Sequence, residues 1–244
     1  MQKLLISVFL LFSLSVHGQE PTGAKAVALP SSEAVSIASA KVELEAMGET
    51  DQSGRLQLIE LEKKYGWEST EVKEAWTKQK AIDLRNIQRL EEIIARYGWP
   101  GNKQFGGKAA GAAFLILQHS DLAHQKKYVA LAREAVGKGE MRGSSLALLE
   151  DRIRSREGGK QIYGSQVTRN SANEWEPLPI EDEKNVDVLR ARIGLQPISD
   201  YLKGFADRSG GRVSPKWTKI SAEKTIQKDS VERQHMSSDE KPSG

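Results

Sequence analysis

The chain contains the stretch GGKAAGAAFLILQH, residues 106–119. Apart from Lys108 and the terminal Gln118 and His119, its side chains are apolar or small, so a helix formed by them has no broad polar face for water. The stretch therefore predicts a helix buried inside a bundle. Its alanines and Gly111 would let neighbouring helices approach closely, because the side chains at a contact set the distance between helix axes.

Helical patterns occur on both sides of this stretch, with apolar residues at helical spacing. Ser32 is a suitable N-cap for the first of them. Tyr-Gly-Trp follows two segments, at Tyr65 and Tyr97, where a left-handed glycine can end a helix. The repeated Tyr-Gly-Trp motif has two alternative explanations: two independent copies of a helix-capping motif, or an internal duplication of the chain. The predicted helical segments are residues 32–47, a segment that carries Leu56, Ile59 and Leu61, a segment that carries Ile82, Leu90, Ile93 and Ile94, and residues 106–119, 121–136, 144–156, 187–194 and 199–206.

Predicted β-structure is confined to one late region. Residues 161–167 and 175–180 are rich enough in β-branched and aromatic residues to form strands, and we expect them to pair as a hairpin. The sequence therefore predicts a mainly α fold, a single-domain helical bundle over residues 32–205 with a small β-hairpin near residues 161–180.

The first 18 residues have the pattern of a secretory signal peptide. Lys3 precedes an apolar run over residues 4–14, and the residues up to Gly18 suit a signal peptidase. The run is about half of the roughly 20 residues that span a bilayer as a helix. We expect cleavage after Gly18, export to the periplasm or outside the cell, and no stable membrane insertion afterwards. An uncleaved N-terminal anchor is the alternative.

Two polar segments flank the predicted domain. Residues 19–31 are rich in Pro, Gly, Ala and Ser and are expected to be a flexible leader. Residues 206–244 have almost no apolar periodicity and are expected to be a disordered tail. In the alternative interpretation, Val213, Trp217 and Ile220 dock as one short element.

Composition excludes several classes of function. The chain has no cysteine, which excludes disulfides, thiolate metal sites and a cysteine nucleophile. Its 36 Lys and Arg are interspersed with 33 Asp and Glu, and aromatic residues are few, so nucleic acid is not expected as a partner. His124 lies five residues from His119, off the spacing of a same-face helical pair, so no metal site is expected. No cofactor is expected either, since the nucleotide-binding motifs are absent.

His119 and Asp121 are the first candidate site residues. His119 ends the predicted buried helix, where it could act as a general base or simply interact with the helix dipole. Asp121 stands at the start of the next helix, where it could belong to a ligand site or cap the helix by accepting from free N–H groups.

Asp151 and Arg152 are the second pair of candidates. Adjacent positions on a helix point about 100° apart, so the two side chains need different partners. Asp151 is a candidate to assist His119 in catalysis. Arg152 could hold a carboxylate or phosphate with its planar fork, and a buried ion pair that clamps two helices is the alternative.

The segment at residues 161–166 carries the third group of candidates. In the predicted strand, Gln161, Tyr163 and Ser165 share one face, and Gln166 lies on the other. These polar groups could present donors and acceptors to a ligand. Equally, they could satisfy backbone groups where the helix meets the hairpin.

A series of short motifs runs along the chain: Asp51-Gln52, Arg55, Asp83, Gly98-Trp99-Pro100, Gln118-His119-Ser120-Asp121, Asp151-Arg152, Gln161 to Gln166, Val186-Asp187, Arg190 and Tyr201. In their order and spacing they resemble the bacterial family catalogued as domain of unknown function 6624, over roughly residues 45–202. Ser120 and Ser165 depart mildly from the family, which usually has alanine and threonine there. The resemblance implies an architecture and candidate positions, with Arg190 as a further candidate for ligand binding, and it implies no reaction.

Two functions from different classes fit these observations. The first is an exported binding or interaction module of the cell envelope, which recognises a small polar or anionic ligand or an envelope protein. The second is a hydrolase- or transferase-like enzyme with His119 as general base and Asp151 assisting, and it predicts that the candidate side chains converge on one concave site. The binding module is favoured, because the common hydrolytic and nucleotide-binding motifs are absent.

Overall fold

The structure is a computed structural model that describes residues 32–218. The predicted signal peptide and leader lie outside the described residues. The described chain is mainly helical with one small sheet, which confirms the predicted fold class. None of its helices combines the length and the apolar character that crossing a membrane requires.

The described chain divides into two compact units. The first unit ends at Leu149 and the second begins at Glu150, so the division falls within one helix. The elements of the first unit are α1 (Ser32–Tyr65), α2 (Thr70–Tyr97), α3 (Asn102–His119), α4 (Leu122–Gly137) and the start of α5 (Gly143–Arg156). Those of the second unit are the end of α5, β1 (Val167–Arg169), β2 (Glu174–Pro177), α6 (Val186–Arg192), α7 (Ile198–Ser209) and β3 (Arg212–Val213).

The predicted buried helix is the centre of the first unit. Helix α3 packs against α1, α2 and α4, and α1 also packs against α2. It begins at Asn102, earlier than predicted, because a first helical turn precedes a kink at Gly106, whose φ is 77°. The core of this unit includes Leu44, Leu90, Phe105, Ala113 and Leu117.

The predicted end of the first helix at residue 47 is wrong, because α1 continues to Tyr65. It runs without interruption for 34 residues, which corresponds to about 51 Å at 1.5 Å per residue. A Cβ added at Gly48, just past the predicted end, would lie 2.7 Å from the Ala112 Cβ. Gly48 therefore allows α1 to approach α3 closely.

The helix ends follow local capping chemistry. Ser69 caps α2 by accepting from the Val72 amide at 3.3 Å. Helix α2 ends at Gly98, which has a φ of 73° and donates its N–H to the Ile94 carbonyl oxygen at 2.9 Å. Pro100 then prevents the helix from continuing.

The second unit is built on a three-stranded sheet. Strand β1 pairs antiparallel with β2, with Val167 opposite Pro177, and β2 pairs parallel with β3. The β1–β2 pair confirms a small hairpin in the predicted region, although its first strand begins at Val167. Helix α7 packs on β2 and β3, and the rings of Trp175 and Phe205 lie 5.2 Å apart. The core of this unit includes Trp175, Val186, Ile198, Leu202 and Phe205.

Two predicted boundaries in the second unit are wrong. Residues 161–166 are an irregular loop rather than a strand, and their β-pairing is limited to one isolated bridge between Gln161 and Ile180. The predicted tail began at residue 206, but α7 continues to Ser209, and Trp217 is 3% exposed. The folded chain thus extends at least to residue 218, and Ile220 lies outside the described residues.

Candidate functional site

The carboxylate of Asp151 organises the loop formed by residues 161–166, called here the 161–166 loop. Asp151 Oδ1 accepts from the Ile162 amide at 2.8 Å, and Oδ2 accepts from the Ser165 amide at 2.9 Å. The Tyr163 amide lies within 3.1 and 3.2 Å of the two oxygens. Burial raises the pKa of Asp151, and the backbone donors act against that rise. Both oxygens are therefore occupied by the loop.

The conformation of the loop explains why it is not a strand. Gly164 has a φ of 66°, and a Cβ there would lie 2.6 Å from the Ile180 Cδ1. The side chain of Gln161 closes the loop, since its Oε1 accepts from the Gln166 amide at 2.6 Å and its Nε2 donates to the Gln166 carbonyl at 2.9 Å. Gln161 thus satisfies backbone groups, as the second interpretation of this segment predicted.

Arg152 and Arg190 hold the loop from two other elements. Arg152 Nε donates to the Gln166 Oε1 at 3.0 Å. Arg190 Nη1 donates to the Tyr163 carbonyl at 2.7 Å, and its Nε donates to the Gln196 carbonyl at 2.6 Å. The loop is therefore tied to one carboxylate and two guanidinium groups.

Tyr201 lies at the centre of these charges. Its hydroxyl donates to the Ser165 carbonyl at 2.8 Å, and its ring centre is 4.8 Å from the Arg190 Cζ. Burial raises the pKa of Tyr201 to about 12, while the charges of Arg190, Arg152 and Arg208 act to lower it. Three arginines therefore act on one hydroxyl group.

Arg208 reaches this group from the end of α7. It lies over the ring of Phe205, 5.1 Å from its centre, and its Nη1 would be 3.1 Å from a Cβ added at Gly204. Burial lowers the pKa of both Arg208 and Arg190, although an arginine stays protonated in proteins. We call Arg152, Arg190, Arg208 and Tyr201 the arginine cluster.

The arginine cluster has more donors than acceptors. Among the described residues, Arg190 Nη2 and Arg208 Nε and Nη2 are buried and have no hydrogen-bond acceptor. The nearby carboxylates are engaged elsewhere. Asp151 holds the 161–166 loop, Asp187 Oδ1 accepts from the Ile198 amide at 2.8 Å, and Asp207 pairs with Lys203 at 2.7 Å. The cluster is therefore suited to a group that is anionic and rich in acceptors.

A second charged group lies in the first unit and contains His119. His119 Nδ1 is 2.9 Å from the Asp51 Oδ2, and each of these side chains is 1% exposed. Arg55 Nη2 joins them to Asp83, at 3.2 Å from the Asp51 Oδ1 and 2.7 Å from the Asp83 Oδ1. We call Asp51, Arg55, Asp83 and His119 the acid–histidine network.

The electrostatics of this network distinguish its two carboxylates. Burial acts to raise the pKa of Asp51, but His119 and Arg55 outweigh it and hold that pKa well below its usual range. Burial raises the pKa of Asp83, with Arg55 acting in the opposite direction. Asp51 is therefore the stable anion beside His119.

The structure revises the roles predicted for His119, Asp121 and Asp151. Asp51 is the carboxylate that orients His119, and Asp151 is not, because both its oxygens accept from the 161–166 loop. Asp121 caps α4 by accepting from the His124 amide at 2.9 Å. Asp121 therefore has the helix-capping role, which is the alternative to ligand binding for this residue.

Most of the chain matches one family of proteins. The model of a family of unknown function, DUF6624, matches residues 39–214. The chain belongs to the DUF6624 family. No curated protein and no solved structure matches it. The DUF6624 match contains the whole arginine cluster and the whole acid–histidine network, and it confirms the resemblance found from the motifs.

Of the residues predicted as site candidates, the structure gathers one set in the second unit of this DUF6624 chain: Asp151, Arg152, Gln161, Tyr163, Gln166 and Arg190. Sequence reasoning did not select Asp51, Arg55 or Asp83 as site residues. Asp51 and Arg55 stand four residues apart on one helix face, which is a signal for a pair. Arg208 was missed because its segment was interpreted as a disordered tail.

Proposed function

We propose that the protein is an exported binding module of the cell envelope and that its second unit binds a small anionic ligand at the arginine cluster. The observation that carries this proposal is the set of buried guanidinium donors on Arg190 and Arg208 that have no acceptor among the described residues. A carboxylate or phosphate would supply acceptors in the planar geometry that a guanidinium prefers.

The free energies of the competing interactions favour a ligand-binding role for the arginine cluster over a purely structural one. A cation–π contact contributes about 0.5–2 kcal/mol, and the rings of Tyr201 and Phe205 offer one each to Arg190 and Arg208. Leaving a buried donor unsatisfied costs about 1–3 kcal/mol, and more when the group is charged. The aromatic contacts therefore offset only part of the cost of three such nitrogens.

The surroundings of the cluster also favour binding. The 161–166 loop is held by Asp151 and Gln161, so the carbonyl that positions Arg190 is itself fixed. Arg208 is partly exposed, so the cluster extends to the surface of the unit at this residue. A ligand would meet donors that are already oriented, which reduces the entropy lost on binding.

Export is the second part of the proposal and is supported by residues 1–18 of the sequence. The charged start, the short apolar run and the residues up to Gly18 fit a cleaved signal peptide. Mass spectrometry of the protein from a bacterial host should find a mature chain that begins at Gln19 in the extracytoplasmic fraction. An intact N-terminus in the cytoplasm would refute this part.

A thermal-shift series tests the binding proposal. Inorganic phosphate, acetate and citrate, compared at constant ionic strength, should include an anion that raises the melting temperature, because a ligand that binds only the folded state stabilises it. Arg208→Gln should abolish the rise. The matched control is Arg192→Gln, since Arg192 is exposed on α6 of the same unit and should leave the rise intact. Equal responses in both variants would refute the site.

An enzyme is retained as a second candidate because of one observation, the contact between Asp51 and the Nδ1 of His119. A carboxylate in this position fixes the tautomer of a histidine and stabilises the imidazolium that forms when it accepts a proton. In this candidate, His119 is the general base of a hydrolase- or transferase-like reaction and Asp51 takes the orienting role. Turnover of ester, amide or phosphoryl substrates that is lost in His119→Gln and strongly reduced in Asp51→Asn would support it.

A further inference from the structure

A cavity of about 280 Å³ lies between α1 and α2 in the first unit. Its wall includes Gly54 from α1, and Glu71, Glu74, Lys78 and Gln79 from α2. Ligand pockets are commonly about 300–1,000 Å³, so this volume suits a small molecule or the end group of a larger one. The cavity belongs to the first unit, whereas the arginine cluster belongs to the second.

Gln79 presents a buried acceptor to this cavity. Gln79 is 2% exposed, and its Nε2 lies 2.9 Å from the Asp83 Oδ1. An ionised carboxylate only accepts hydrogen bonds, so the amide nitrogen must face Asp83 and the Oε1 must point away from it. The contact of Asp83 with Arg55 at 2.7 Å keeps that carboxylate in place. The orientation of the Gln79 amide is thereby fixed.

Gly54 is what gives the Gln79 oxygen its position. A Cβ added at Gly54 would lie 2.0 Å from the Gln79 Oε1, so any larger residue there would displace it. Among the described residues, this Oε1 is buried without a hydrogen-bond donor. Because Gly54 and Gln79 both line the cavity, a donor that enters it would lie beside the residue that carries this oxygen.

The charged residues around the cavity indicate whether a ligand that donates to the Gln79 Oε1 is positively charged or neutral. Glu71 and Glu74 stand one helical turn apart and are both exposed, and Lys78 is the cation of this wall. Two carboxylates against one ammonium favour a positively charged ligand at the cavity. We infer that the cavity binds a small primary ammonium compound, whose N–H donates to the Gln79 Oε1 and whose charge is stabilised by Glu71 and Glu74.

The test uses amide NMR of the full chain titrated with propylammonium chloride, propionamide and 1-propanol at constant ionic strength. Propylammonium should give saturable shifts at Gly54 and Gln79, including the side-chain amide of Gln79, and the other two compounds should not. Equal binding of propionamide would assign a neutral donor and overturn the inference, as would equal binding of propanol. The absence of saturable shifts with all three would also overturn it. Phosphate should leave these resonances unchanged, which separates this site from the arginine cluster.

Two substitutions connect the response to this cavity. Glu74→Gln should weaken propylammonium binding about threefold, the effect of one exposed ion pair. Its matched control is Glu68→Gln, because Glu68 is an exposed acid outside the cavity wall and should leave the affinity unchanged. Gly54→Ala should abolish binding by displacing the Gln79 oxygen. Unchanged affinity in Glu74→Gln would contradict the inference whether or not Gly54→Ala folds.

Discussion

Asp51 and His119 form a buried pair that joins α1 to α3, with 2.9 Å between the Asp51 Oδ2 and the His119 Nδ1. A buried charge is tolerated only when it is paired and hydrogen-bonded, and Asp51 also accepts from the Gln52 Nε2 at 2.7 Å and the Arg55 Nε at 3.2 Å. The pair therefore depends on all three donors around the Asp51 carboxylate.

Removing the charge of Asp51 should destabilise the first unit in a pH-dependent way. Asp51→Asn should lower the free energy of unfolding by about 3–5 kcal/mol at pH 7, the cost of breaking a buried pair. The pKa of Asp51 is lowered in the folded state, so its ionised form stabilises the fold above its unfolded pKa of about 3.9 and loses that effect as the pH falls.

Urea unfolding of the wild type and Asp51→Asn between pH 2.5 and 7 measures this effect. The difference between the two proteins should shrink below about pH 4, where Asp51 takes up a proton in the unfolded chain. A difference that stays constant down to the lowest pH would show that the charge of Asp51 does not stabilise the fold.

Asp151→Asn should loosen the 161–166 loop. An asparagine has one acceptor oxygen in place of two, and its amide nitrogen would face backbone N–H groups, so the loss is expected to be about 2–4 kcal/mol. Hydrogen exchange should accelerate at the amides of Ile162, Tyr163 and Ser165. Asp200→Asn is the matched control, since Asp200 is exposed on α7, and it should leave these amides protected. Unchanged exchange in Asp151→Asn would contradict the assigned role.

Two glycine substitutions should change stability in opposite directions. The expectation that Gly111 lies at a close helix contact is wrong, because nothing lies within 4 Å of a Cβ added there. Alanine is a better helix former than glycine by about 1 kcal/mol, so Gly111→Ala should stabilise the protein. Gly48→Ala gains the same propensity but places its Cβ 2.7 Å from the Ala112 Cβ, so it should lower the melting temperature. A rise in the melting temperature for both would mean that α1 and α3 do not approach closely at Gly48.

The sequence predicted those features that depend on local chemistry. Residues 106–119 indicated the buried helix because almost every side chain there is apolar or small, and Asp121 and Gly98 indicated caps by their residue types. The hairpin was predicted from its composition. Each of these signals is contained in a short window of the chain, which is why periodicity and capping rules detected it.

The remaining features depend on contacts between distant residues. The 161–166 loop has the composition of a strand, but the Asp151 carboxylate binds three of its amides and bends it. His119 and Asp51 are 68 residues apart, so no local pattern could pair them. Arg208 lies in a polar segment whose order comes from Phe205 and Trp175 packing in the core. Composition alone therefore pointed to disorder there.

The most direct test of anion binding is isothermal titration calorimetry of the anion that gives the largest thermal shift, with the wild type and Arg208→Gln at the same ionic strength. Saturable binding should be seen with the wild type, and the variant should bind at least about tenfold more weakly, since a hydrogen bond to a charged group contributes about 1.5–3 kcal/mol. The same affinity in both proteins, or no binding heat with any of the anions, would contradict the assignment of the arginine cluster as a ligand site.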